Sequence, residues 1–154
     1  MSKMQILLFV GAVFIVIVLI IIILYPKIEQ GNREKELQKN ETLFLNIINY
    51  LDDLEYEYIS TSNYYSFYAS SGIGGGTTIQ IEDEQIKNDL REILIGQNYL
   101  FIEKEKAGIR FVKAGFLDNT SGYVYLFSGG KPQGFRTNTF IKLSKDCWYW
   151  YSEH

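Results

Sequence analysis

The sequence predicts an α+β protein: an N-terminal transmembrane helix, then an amphipathic helix and a small antiparallel sheet of four to six strands with a second short helix. Three observations carry that reading. Residues Ile6 to Tyr25 contain no charge, no amide and no hydroxyl other than the final phenol. From Asn32 to Glu55, Leu37, Phe44, Ile47, Ile48, Leu51 and Leu54 recur at helical steps of 3, 4 or 7. Beyond Asn98 the chain breaks into short aromatic and β-branched runs separated by glycine-containing turns.

The apolar stretch comes first. A helix rises about 1.5 Å per residue, so residues 6–25 would span roughly 30 Å, the thickness of a bilayer's hydrocarbon. A core helix rarely needs so long a wholly apolar run. A cleaved secretory signal fits less well, because its apolar region is usually about 7 to 15 residues and Tyr25-Pro26-Lys27 offers no small-x-small cleavage site. The organisation expected is therefore a short tail (1–5), a single-pass signal-anchor helix in the membrane (6–25), a joint (26–31) and one α+β globular domain (32–154). Pro26 removes a backbone donor and Gly31 costs extra entropy in a helix, so both should interrupt it. Lys27, Arg33, Lys35 and Lys39 follow the span while Lys3 precedes it, which by the positive-inside rule points the domain to the cytoplasm. The short tail with Lys3 next to the membrane, and the Glu29, Glu34, Glu36 and Glu41 that accompany the downstream cations, favour an extracytoplasmic domain instead.

The first turns beyond the joint are polar and should be solvated, whereas the later turns of the amphipathic helix should dock on the domain. Tyr56 to Thr61 and Tyr64 to Ala69 read as a hairpin turning at Ser62-Asn63. Ser70 to Gly76 reads as a loop, and Thr77 to Glu82 as a short strand with Ile79 and Ile81 on one face. Asp83 should cap a helix that ends at Gly96 and buries Ile86, Leu90, Ile93 and Leu94. Strands are expected at Tyr99 to Lys104, Ile109 to Ala114, Tyr123 to Ser128, Phe135 to Leu143 and Cys147 to Tyr151. Tight turns between short strands pair them antiparallel.

Composition narrows the chemistry. A net charge of −3 and a pI near 5.2, without a long basic run, give no pull towards nucleic acid. Cys147 is the single cysteine, so intrachain disulfides and paired-cysteine zinc sites are excluded. It reads as a small buried hydrophobe in an aromatic strand. Gly72-Ile73-Gly74-Gly75-Gly76 lacks the third glycine and the Lys-Ser or Lys-Thr pair of a phosphate loop, and Gly130-Lys131-Pro132 fails likewise. Asp52-Asp53-Glu55-Glu57 and Glu82-Asp83-Glu84 lack the interleaved spacing of a cation loop and read as a solvated helix end and dipole compensation. His154, at the last position, is poorly placed for a general base. No catalytic, metal or cofactor-binding residue is assigned, and no cofactor is expected. Asn40-Glu41-Thr42 and Asn119-Thr120-Ser121 fit the glycan acceptor pattern.

Aromatic residues are the most unusual feature. Strand periodicity puts Trp148 and Trp150 on one face and Tyr149 and Tyr151 on the other. With Tyr123 and Tyr125 these four form the candidate interaction surface, if the face away from the helices is open.

An apolar N-terminal helix leading through an amphipathic one into a small antiparallel sheet is similar to the type IV pilin-like architecture, which implies a filament subunit. Gly11 is followed by Ala12 rather than the phenylalanine of that leader motif, and Val16 stands where its glutamate would be. The reading favoured over that one is a membrane-anchored, protein-binding accessory module: an envelope accessory factor, a membrane-complex subunit or an immunity-type inhibitor. Its expected partners are the bilayer, through 6–25, and a protein. A membrane-tethered hydrolase is the alternative from another class.

Overall fold

A computed structural model of the chain describes residues 3–63, 65–72, 76–114, 119–130, 132, 139–143 and 145–152. The chain divides into two compact units, Met1–Glu36 and Leu37–His154. Helix α1 (Lys3–Asp52) supplies residues to both.

In the first unit the apolar stretch is helical and from Phe9 onward nearly all its side chains lie open, with Phe9, Phe14, Ile22 and Tyr25 each more than half exposed. Among the described residues, α1 is the one helix long and apolar enough to cross a membrane, and none of its most apolar stretch is buried. That is compatible with a membrane span or a signal anchor. The interruption expected at Pro26 and Gly31 is not a break: Pro26 lies inside α1 and helical backbone continues through both. Proline forfeits one N–H and crowds the carbonyl four residues back, but in so long a helix the neighbouring turns hold the geometry. Arg33 pairs with Glu29 at 3.6 Å and with Glu36 at 3.7 Å, and the Gln30 amide donates to Glu34 at 3.3 Å. Such pairs add a few tenths of a kcal/mol each.

The second unit is built on one antiparallel sheet of β1 (Tyr58–Asn63), β2 (Ser66–Ser70), β3 (Thr78–Gln80), β4 (Tyr99–Glu105), β5 (Gly108–Ala114), β6 (Thr120–Leu126), β7 (Thr139–Lys142) and β8 (Trp148–Ser152). Their order across the sheet is β3-β2-β1-β4-β5-β6-β8-β7. Eight strands correct the expected four to six. The segments are nearly those read from the sequence, but β1 pairs with β4 through Tyr58↔Glu103 and Ile59↔Ile102 as well as with β2. This link joins the first three strands to the later five. The turn expected at Ser62-Asn63 is corrected too: both residues belong to β1, whose ladder runs to Asn63↔Ser66 through a bulge between Thr61 and Asn63.

One face of the sheet meets the helices. Leu37, Phe44, Ile47, Ile48 and Leu51 of α1 are buried against Ile59, Phe67, Ile102, Ile109, Phe111, Tyr123, Trp148 and Trp150. Helix α2 (Glu84–Leu90) and a π-helical turn (Arg91–Gly96) add Ile86, Leu90, Ile93 and Leu94, the four residues expected. Phe44 is the centre of this core. Its ring lies 4.4 Å from Phe111, 5.5 Å from Tyr123, 5.6 Å from Trp148 and 6.0 Å from Tyr99, centroid to centroid. A smaller cluster of Val112, Val124, Leu126, Tyr149 and Tyr151 fills the other face, with Phe101 and Phe140 packed on it.

Polar contacts lock α1 to the sheet. The last turn of α1 contains no basic residue to answer its dipole. Lys104 of β4 supplies one, its ammonium donating to the carbonyls of Leu51 (2.9 Å), Asp52 (3.2 Å) and Leu54 (3.0 Å). Asn40 is buried and exchanges two amide hydrogen bonds of 2.7 Å with Gln97. Lys145, in the turn before β8, pairs with Glu41.

Two outcomes follow. Phe44→Ala should lower the stability of the second unit by about 3 to 5 kcal/mol, because it removes a ring from a closed core. Denaturant unfolding of the detergent-solubilised chain measures this, and a loss below about 1 kcal/mol would contradict the central place given to Phe44. Lys104→Met, which keeps the aliphatic stem, should cost about 1 to 3 kcal/mol by leaving three helix-end carbonyls without their cation. Amide hydrogen exchange should then quicken in the last turn of α1 before it does elsewhere.

Candidate functional site

Beside its core-facing stripe, α1 carries a second one. Asn46, Asn49 and Tyr50 fall at i, i+3 and i+4 on one line of the helix surface, and Asp53, the first residue past α1, continues that line at i+7. They meet the start of α2. Asp83 is its N-cap, with extended backbone and Oδ1 accepting the Ile86 N–H at 2.9 Å, as the sequence leads one to expect. Between the two elements is a groove of about 340 Å³ lined by Asn46, Asn49, Tyr50, Asp53, Asp83, Gln85 and Ile86. Asp53 and Asp83 come from the two acidic stretches that the sequence presents as unrelated, and both are exposed.

The Asp89 carboxylate is 3% exposed and belongs to the same place. Asn46 Nδ2 donates to Oδ2 at 2.8 Å and Gln85 Nε2 to Oδ1 at 3.0 Å, and both donors line the groove. A buried carboxylate needs such donors to offset its lost hydration. The lysine of α2 is engaged with other carboxylates: Lys87 bonds Glu84 at 2.8 Å and approaches Glu82 at 3.5 Å. The hydrogen bond to Glu84 holds the Lys87 ammonium above its usual pKa, aided by the charges of Glu84 and Glu82 against a smaller burial effect. Burial, and then the charge of Asp83, push the Tyr50 phenol up as well. The groove thus offers carboxylates and amide oxygens to hydrogen-bond donors and cations.

On the opposite face of the sheet, Arg110 lies between Glu103 and Glu105, bonded to the first and 3.0 Å from the second. Burial pulls the Arg110 pKa down, but the hydrogen bond to Glu103 and the charges of Glu103, Tyr151 and Glu105 outweigh it and leave it raised. Both carboxylates are engaged by the one guanidinium, so this cluster reads as structural. Among the described residues, no three His, Cys, Asp or Glu side chains are grouped to hold a metal ion.

The aromatic residues are arranged differently from an open row. Their alternation holds, with Trp148 and Trp150 on the helix side and Tyr149 and Tyr151 on the other. Yet Tyr123, Trp148, Tyr149, Trp150 and Tyr151 are all buried, and of the six candidate surface residues Tyr125 alone keeps partial exposure. Gly122, on β6 opposite Tyr151, has no room for a side chain: a Cβ there would lie 1.9 Å from the main-chain oxygen of Phe111 on the neighbouring strand and 3.2 Å from the Tyr151 ring. Cys147 is also corrected. It is half-buried in the turn before β8 rather than in the strand, in the left-handed region at φ 72°. His154, Ile73 to Gly75, Lys131 and residues 133–138 lie outside the described residues. Asn40 is sealed by Gln97, and Asn119 is half-buried. Comparison with protein-family models, curated proteins and solved structures finds no match.

Asp83→Asn keeps a good N-cap while removing the charge that acts on Tyr50. The Tyr50 pKa should fall towards 10.0 without reaching it, since burial is the larger cause and persists. A ¹³Cζ titration assigned with Tyr50→Phe checks this, and an unchanged midpoint would rule out the coupling. Because the folded pKa lies above the unfolded value, the contribution of Tyr50 to stability is complete below pH 10.0 and is lost as pH climbs through the folded value.

Proposed function

We propose that the chain is a single-pass membrane protein whose Leu37–His154 unit is a protein-binding accessory module on the extracytoplasmic side. Residues 6–25 hold it at the bilayer. The forms such a module takes are an envelope accessory factor, a membrane-complex subunit or an immunity-type inhibitor. The observation that carries the binding role is the groove between α1 and the start of α2, which collects carboxylate, amide and phenol groups on the surface of a unit whose aromatic bulk is committed to its own cores. A recess with an exposed rim suits a side chain or short segment of another protein better than a reaction that must exclude water. Asp53 and Asp83 give it a negative sign, so the complementary surface carries lysine or arginine. The outward orientation is supported by the very short tail that carries Lys3 beside the span.

Photo-crosslinking in native membranes tests the interface. A benzophenone side chain at Asn49, in the groove, should capture a protein of defined mass, and one at the exposed Tyr65 should not. Asp53→Lys should cut the yield from Asn49 by about tenfold or more, the effect of losing roughly 1.4 kcal/mol of electrostatic complementarity. Equal capture at both positions, or none at either, would overturn the assignment. Alkaline carbonate should leave the chain in the membrane pellet, and a C-terminal reporter that works only outside the cytoplasm should be active.

A further inference from the structure

We draw no further inference here: the strongest candidate, the buried Asp89 carboxylate between α1 and α2, belongs to the groove already described and is satisfied by Asn46 and Gln85.

Discussion

The architecture of the second unit depends on one ring. Phe44 is fully buried and touches aromatic residues from β4, β5, β6 and β8, four strands spread over some fifty positions of the chain. Each aromatic pair adds about 0.5 to 1.5 kcal/mol beyond the area it buries. The geometric effect is larger than the sum suggests. Seating Phe44 fixes both the height and the rotation of α1, since Ile47, Ile48 and Leu51 must follow it into the same core. The line of Asn46, Asn49, Tyr50 and Asp53 is then turned to meet α2. The groove is a by-product of core packing, completed by Asp53 and Asp83 just outside the two helices.

Much of this was legible beforehand because it is periodic or local. The stripe from Leu37 to Leu51, the buried face of α2 and the alternation of Trp148 to Tyr151 follow from repeats of 3.6 or 2 residues, and the Asp83 cap from residue type alone. What escaped is non-local. Nothing near Tyr58 announces that it will pair with Glu103, so the single wide sheet had no signature. Alternation told which side each ring faces but not that the far side also packs a core. The continuation of α1 through Pro26 is a matter of length overriding a local penalty.

The candidate groove was half visible. Asn46, Asn49, Tyr50 and Asp53 repeat at helical spacing, and that pattern could have been read; their meeting with Asp83 and Gln85, some thirty residues on, could not. Asn40 and Asp89 give a sharper lesson. Both sit on apolar stripes, Asn40 between Leu37 and Phe44, Asp89 between Ile86 and Leu90. A polar residue on a stripe that must be buried implies a partner elsewhere. Here the partners are Gln97 for the first, and Asn46 with Gln85 for the second. Lys104 has the same logic reversed, a cation in a strand explained only by the helix end it meets.

The outer strand β3 has only three residues, Thr78 to Gln80, and after the buried Ile81 come Glu82, Asp83 and Glu84. A long bare margin would let neighbouring sheets zip into fibrils. So brief a margin offers too few main-chain bonds to start that growth, and the like charges beside it repel an approaching twin. The short length and the charge of this margin are thus themselves the guard against edge-to-edge growth.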